Sequence, residues 1–518
     1  MNQTKSVVSE ADRAFLQAVS KLAYCNPFLP ERIEYERAAL GDDFVNAEPV
    51  WSMKVDDPDR PHTNLVRISG RLETVCDSLR ALFSGGSAVG KPDLELYEVA
   101  VLFLLYRRYE ESFHAAIVAE LEAKPAEKRF EFYAEFHRDW QNYVHLDGIA
   151  ALANPDPAHI FATFFQLRRA FHFIFRYIVG SSMAAARLRA AAWQSIFTHD
   201  MRRYRKMLYE KMGDITTLIT GPSGTGKELI ARAIGMSRYI PFDPKRKTFI
   251  GNFSNSFHAL NLSALPSTLI ESELFGHRRG AFTGALEDRR GWLDICEAWG
   301  SVFLDEVGDL DASIQVKLLR VLQSRIFQTV GDTKDKQFGG KIIAATNRDL
   351  AAALQKGEFR NDFYYRLCAD VIVTPSLQEQ MRESPQVLKE MITFLARSLT
   401  GPEAEELADE VESWIHKHLG ADYGWPGNIR ELEQCVRSVL IREQYHPPRP
   451  RVPSALEDLS VSLSKGTLTA DEMLRRYCTM VYAQTGSYEE TARRLRLDRR
   501  TVKQKIDLKL LSQLRALG

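Results

Sequence analysis

Thr216-Thr-Leu-Ile-Thr220 is a short β-branched and apolar run that leads directly into Gly221-Pro222-Ser223-Gly224-Thr225-Gly226-Lys227-Glu228. Few patterns constrain a chain more. A buried strand, a glycine-rich turn and a helix start bring backbone N–H groups together at a helix N-terminus, where an anion is favoured. Gly221, Gly224 and Gly226 allow the tight turn, Pro222, Ser223 and Thr225 complete the cradle, and Lys227 is placed to reach β- and γ-phosphates. The position after the lysine, which in the standard pattern carries a hydroxyl for magnesium, is Glu228. Farther on, Ser301-Val-Phe-Leu-Asp305-Glu306 reads as an apolar strand ending in two carboxylates. In an α/β sheet those acids lie at the edge where a nucleotide would sit. One carboxylate suits a magnesium ion held through water and the other suits polarisation of an attacking water. ATP and Mg2+ are the cofactors this pairing implies.

At 518 residues the chain has room for roughly two to four domains, each with its own core. Lys plus Arg and Asp plus Glu both total 68, so net charge identifies no partner and any basic patch must be local. Six cysteines, at 25, 76, 296, 368, 435 and 478, form no C-x-x-C pair, which argues against a disulfide framework or zinc ribbon and fits a reducing cytosol. Met1 leads into Asn-Gln-Thr-Lys with no apolar run behind it, so no signal peptide is expected. Phe161 to Val179 is interrupted by Arg168, Arg169, His172 and Arg176, which disfavours a membrane span. A cytoplasmic protein with no membrane partner is expected.

The pattern predicts a multidomain chain. Residues 1–190 carry helical periodicity, notably over Leu94–Leu121 and Ile160–Val179, and read as one α-helical regulatory or sensory domain. Asn154-Pro-Asp156-Pro157 is a turn that starts the next helix. Phe164, Phe165, Phe171, Phe173, Phe175 and Tyr177 are read as bundle core in preference to a ligand cage. Residues 191–375 alternate strands and helices as an α/β core requires, and 376–445 are helical. Prolines between His446 and Pro453 mark a linker over 446–465, and 466–518 are helical and basic.

Between the phosphate loop and the acidic strand lies Gly280-Ala281-Phe282-Thr283-Gly284-Ala285. An ATPase needs the two flanks, but not an apolar Phe-Thr pair lifted between glycines unless that pair touches something. Phe282 at the tip would be a solvent-exposed aromatic, an anchor for another protein. The hexapeptide and its flanks resemble bacterial enhancer-binding proteins, the AAA+ activators of sigma-54 RNA polymerase, from about residue 195 to the end. The resemblance implies an α/β AAA+ P-loop core with a helical lid, and contact of Phe282 and Thr283 with sigma-54. It gives Asp305 the magnesium and Glu306 the water, with Asn261 holding Glu306 inactive until the partner engages. Asn347 matches the first sensor and Arg430 the second, reaching the phosphates from the lid. Arg360 and Arg366 match fingers that act on the neighbouring subunit's ATP, which implies a homo-oligomer, from dimer to hexameric ring. In this family Glu228 is the usual residue after the lysine.

Two segments depart from the family pattern. Tyr239 to Phe257 is extra sequence, taken as a surface insertion, and Thr374-Pro-Ser-Leu-Gln-Glu-Gln380 lacks two basic residues usual near the lid hinge.

Tyr488 to Ile506 has helix-turn-helix spacing: Ala492 permits a close crossing, Leu495, Leu497, Val502 and Ile506 supply a small core, and Asp498 can cap the second helix. Eight Lys or Arg fall between Arg493 and Lys509, with Arg499, Arg500, Thr501 and Lys503 at the edge that would meet double-stranded DNA. Resemblance to the Fis-type domain adds Leu474, Tyr477 and Val481 as a dimer contact. An ATP-driven transcription activator is therefore expected. A remodelling chaperone would not need the DNA reader, and a passive repressor would not need the hexapeptide or the Lys227, Asp305, Glu306 and Arg360 set.

Overall fold

The computed structural model describes residues 8–45, 63–84, 89–122, 130–145, 156–420, 422–447, 468–508 and 510–511. Most of the expected 446–465 linker, the Asn154-Pro155 turn and Lys509 lie outside the described residues. The chain divides into two compact units, 1–443 and 444–518.

In the first unit, five strands form one parallel sheet: β1 (Thr217–Thr220), β2 (Phe257–Asn261), β3 (Ser301–Asp305), β4 (Lys341–Thr346) and β5 (Asp370–Val373), in the order β2-β3-β4-β1-β5. The core strands β3 and β4 are buried nearly throughout, as strands covered on both faces must be. Register aligns their carboxyl ends: Thr220 lies opposite Thr346, Leu304 opposite Ala344, and Asn261 opposite Asp305. The residues that follow these strands therefore share one edge, the crevice where ligands bind in open α/β sheets.

The N-terminal part is built from helices α1 (Glu10–Tyr24), α2 (Glu31–Leu40), α3 (Thr63–Ser84), α4 (Lys91–Leu121), α5 (Tyr133–Val144), α6 (Pro157–Tyr177) and α7 (Met183–Phe197). Helix α6 starts where proline at the first position and an aspartate cap favour it, with Asp156 accepting from the Ala158 N–H at 3.0 Å. Its aromatic face is core: Phe161, Phe165 and Phe173 are buried, and Phe161 meets Phe113 and Phe136 at centroid distances of 4.8 and 5.2 Å.

Helix α7 runs without a break across residues 190 and 191. One apolar cluster extends from Phe173 and Trp193 through Ile230 to Ile219 and Ile343 in the sheet. The helical half is thus fused to the α/β core through a common interior. The stretch from Tyr239 to Phe257, expected as a surface insertion, needs correction. It contains a small hairpin, Phe242–Asp243 with Thr248–Phe249, and buries Ile240, Phe242, Phe249 and Phe253. Phe249 stacks on Phe165 at 4.5 Å and Phe242 lies 4.6 Å from Phe161. Phe242, Phe249 and Phe253 pack on the aromatic face of α6, while Lys245, Arg246 and Lys247 are exposed, so the segment is a seam.

After β5, helices Leu377–Glu383, Gln386–Thr400, Ala404–His418 and Asn428–Arg442 form the lid. The segment that lacks the expected basic residues supplies a capping box instead: Ser376 and Glu379 satisfy each other's backbone N–H groups at the lid's first helix.

The second unit contains helices Ala470–Thr485, Tyr488–Leu495 and Arg499–Lys505. Gly486, at φ 65°, ends the first in the left-handed conformation glycine favours, and Ser487 caps the second. Val502 and Ala492 are buried, whereas Leu495, Leu497 and Ile506 are half-buried.

Candidate active site

The phosphate loop spans from β1 to helix α8 (Lys227–Gly235). Gly221, Gly224 and Gly226 take φ values of 143°, 77° and 84°, a backbone path that side chains resist. Gly224 has a second constraint, since a Cβ there would stand 2.2 Å from the Gly427 carbonyl of the lid. Lys227 is buried and its Nζ donates to the carbonyls of Gly221 and Pro222, both at 3.0 Å, so it lies folded back along the loop. Burial holds its pKa below the usual lysine range against the pull of Glu306 and Asp305. Glu228 points the other way and pairs with Arg232 at 3.0 Å.

Asp305 ends β3, and its pKa is raised by burial and by the neighbouring Glu306 while Lys227 opposes the rise. Glu306 adopts φ 58°, which turns the chain sharply away from the strand. Its Oε2 accepts from the Asn347 backbone N–H at 3.1 Å, joining the ends of β3 and β4. Asn261, expected to hold Glu306, instead accepts from the N–H and hydroxyl of Ser263 at 3.1 and 2.9 Å. It thus caps its own turn, as asparagine at a strand end often does.

The lid closes on the loop directly. Arg430 Nη1 donates to Ser223 Oγ at 3.1 Å, and the Ile429 N–H to the Gly224 carbonyl at 3.0 Å. Asn428 donates from Nδ2 to the Ser223 carbonyl at 2.9 Å and accepts from the Leu377 N–H at 2.9 Å. Asn428 and Thr374, whose hydroxyl lies 2.6 Å from that of Thr225, were not singled out in the sequence. Asn428 lies in a Trp-Pro-Gly-Asn turn, where its φ is 52°.

Arg360 and Arg366 stand apart from this cluster. Arg360 is exposed and forks onto Asp362 at 2.7 and 3.0 Å, and Arg366 is exposed with no hydrogen bond or ion pair among the described residues. Neither is bonded to the phosphate loop or to Asp305 and Glu306 of its own chain among the described residues.

The hexapeptide forms a tight excursion. His277 exchanges backbone hydrogen bonds with Arg289 at 2.9 and 2.8 Å, and the Gly280 N–H reaches the Ala285 carbonyl at 2.9 Å. Gly280 and Gly284 take φ values of 79° and 101° with open space around them. Thr283 is exposed, but Phe282 is not the free aromatic expected. It is half-buried, its ring packed edge-on against His277 at 4.9 Å. His277 is held by Ser272, whose hydroxyl lies 2.7 Å from Nδ1. An exposed ring exchanges water contact for packing wherever a neighbour is in reach.

On the second unit, Asp498 Oδ1 accepts from the Arg500 N–H at 2.7 Å, capping the third helix. Arg499 is tied to Glu489 at 2.9 Å, while the Arg500 and Lys503 side chains are exposed and unpaired among the described residues, and Thr501 is half-buried. Of the three dimer candidates only Tyr477 is exposed. Leu474 is half-buried and Val481 is buried within the unit.

A parallel sheet in this order, with a phosphate loop after β1, acids after β3 and a helical lid docked on the loop, makes an α/β core like that of AAA+ ATPases. Residues 195–373 match the family described as the sigma-54 interaction domain. The Nif-specific regulatory protein of Azotobacter vinelandii is 41% identical over 229 residues, 44% of this chain and 40% of the relative. The transcriptional regulatory protein GlrR of Escherichia coli (strain K12) is 42% identical over 229 residues, 43% of this chain and 47% of the relative. The match thus spans less than half the length of either relative. The crystal structure of NtrX from Brucella abortus in complex with ATP superposes at a TM-score of 0.39 and 22% identity, over 74% of this chain and 81% of that one. Among the described residues no helix is long and apolar enough to cross a membrane.

Proposed function

We propose that the protein is a cytoplasmic, sigma-54-dependent transcription activator, which binds upstream DNA and uses ATP hydrolysis to convert the closed sigma-54 polymerase complex into an open one. The observation that carries this is the hexapeptide loop set between a docked phosphate loop and the Asp305–Glu306 pair in one sigma-54 interaction domain. The loop N–H groups and Lys227 bind the phosphates. Arg430 and Asn428 fasten the lid over them, and Asn347 orients Glu306 through its backbone. Glu306 accepts a proton from the attacking water, and Asn261 would have to leave Ser263 to restrain it.

Asp305 suits Mg2+: it is a hard oxygen ligand at a half-buried strand end, beside a second acid. Bound there, the ion would neutralise charge developing between β- and γ-phosphates. Arg360 and Arg366, exposed and remote from their own loop, would complete a neighbour's site, which calls for a ring, most simply a hexamer. Phe282 and Thr283 would meet sigma-54 once the loop lifts from His277.

In a purified transcription assay, the protein with ATP is expected to yield open complexes at a promoter with GG and GC elements only when sigma-54 holoenzyme is supplied. Equal activity with a non-hydrolysable ATP analogue, or none with any sigma-54 promoter, would overturn the proposal.

For the DNA reader, Arg500→Ala is expected to weaken enhancer binding by about 1–3 kcal/mol if the side chain reads a base. If it meets only phosphate, all sequences weaken alike and the salt slope falls by about one charge. Filter binding at several salt concentrations separates the two, and an unchanged affinity and slope would move the recognition surface elsewhere. Arg499→Ala should have the smaller effect, because Glu489 already engages that guanidinium.

A further inference from the structure

We propose that Arg169, in the N-terminal helices, is a positioning residue for the nucleotide site and sets the seat of the phosphate loop. The inference rests on the ATPase assignment above. Helix α8 begins at Lys227 and ends at Gly235, so its far end lies about 13 Å from the phosphates at 1.5 Å per residue. The last carbonyls of a helix lack partners within it and attract positive charge. Here the C-cap Met236 and the two residues after it, just past the end of α8, present their carbonyls to another part of the chain. Arg169 Nη1 donates to the Met236 carbonyl at 2.9 Å and Nη2 to the Arg238 carbonyl at 2.6 Å. Between them Gln166 Nε2 donates to the Ser237 carbonyl at 2.9 Å. Three consecutive carbonyls at the base of α8 are therefore held by two side chains on adjacent turns of α6.

The clamp is rigid and dry. Arg169 is 1% exposed and lies between the rings of Phe165 and Phe253, at 4.9 and 5.2 Å. Burial lowers its pKa to about 10, which leaves it charged at neutral pH. Gln166 is itself fixed by the Tyr204 hydroxyl at 2.7 Å. Glu120 of α4 accepts from the Phe253 N–H at 3.0 Å, so a second N-terminal helix holds the same seam.

The clamp also reaches the acidic strand. Arg238, whose carbonyl Arg169 binds, donates from Nη1 to the Gly300 carbonyl at 2.8 Å, and Gly300 directly precedes β3. On its other side α8 is wedged against β2, since a Cβ on Gly235 would stand 2.5 Å from the Phe257 ring. Moving α6 along α8 would thus shift Lys227 at one end and Asp305 through β3. Displacements near 1 Å remote from chemistry are enough to change rates about a hundredfold. The N-terminal helices accordingly act on the motor through this contact, without touching the nucleotide.

The test compares full-length Arg169→Met, Arg169→Lys and Gln166→Leu with the unaltered protein, by calorimetric titration with ATP and by kcat and KM. Arg169→Met is expected to raise the ATP Kd about tenfold or more at unchanged stoichiometry, with Arg169→Lys recovering most of the loss and Gln166→Leu shifting the same way by about threefold. A purely structural role would lower the number of binding sites per chain and leave the Kd of the remaining ones unchanged. That result overturns the proposal. Should Arg169→Met fail to fold, unchanged Kd values for both Arg169→Lys and Gln166→Leu overturn it equally. Lys227→Ala distinguishes the two levels: if it binds ATP as tightly as the unaltered protein, the phosphate-loop assignment fails, whatever the Arg169 variants do.

Discussion

Glu306→Ala and Arg360→Ala are each expected to hydrolyse ATP at a small fraction of the normal rate, and to recover activity when mixed. Glu306 stands at the loop edge with its Oε2 on the Asn347 N–H, poised to orient water, and losing such a base removes about 10²–10⁴ in rate. Among the described residues the Arg360 guanidinium is engaged only with Asp362, at the surface of its own subunit, so its loss matters only if it serves a neighbour. Fingers of that kind contribute about 10³–10⁵. In a mixed ring, a Glu306 site in an Arg360→Ala chain can meet the intact Arg360 of a Glu306→Ala chain. Turnover should rise with mixing ratio, peak near equal amounts, and stay below the unaltered level. No recovery in complexes shown to co-assemble would place catalysis within one chain. The exposed Arg360–Asp362 pair is itself worth little to stability, so the single variants should fold normally.

Local rules carry much of the motor. The strand into the glycine turn, the acids at a strand end and the Trp-Pro-Gly-Asn turn are written in consecutive residues, because hydrogen-bond geometry and backbone sterics act at short range. Contacts between distant segments are different. Arg169 and Met236 are 67 positions apart, and nothing in the run Leu-Arg-Arg-Ala around Arg169 reveals that a helix end awaits it. Arg168 and Arg169 read alike in sequence as charges interrupting an apolar run. The seam at Tyr239–Phe257 misled for the same reason, since Phe242, Phe249 and Phe253 in a polar stretch gain meaning only when Phe161 and Phe165 are brought to them. The boundary expected near 190 falls inside α7, which is apolar on both sides of it, so residues flanking it share one interior. Phe282 illustrates the opposite limit. Its glycine flanks do permit an open loop, but a histidine five residues upstream offers a surface that composition cannot place.

Thr283→Ala is expected to leave ATP hydrolysis within about twofold of normal while abolishing open-complex formation at a sigma-54 promoter. Thr283 is exposed, lies outside the phosphate loop and the carboxylate pair, and makes no hydrogen bond among the described residues. Removing its hydroxyl and methyl groups therefore takes nothing from the resting fold. The site would lose something only in the engaged state, where truncation of an interface anchor removes about 2 kcal/mol or more of binding, roughly thirtyfold. Phe282→Ala is the less informative partner, because it also strips the ring from His277 and frees the loop before any partner arrives. Measuring ATP turnover and open-complex yield on one preparation separates the two roles. Normal promoter opening by Thr283→Ala would detach this loop from remodelling, and loss of both activities together would tie the loop to the nucleotide site instead. A gain in ATPase for Phe282→Ala, with none for Thr283→Ala, would mark the His277 contact as the latch that keeps the loop down.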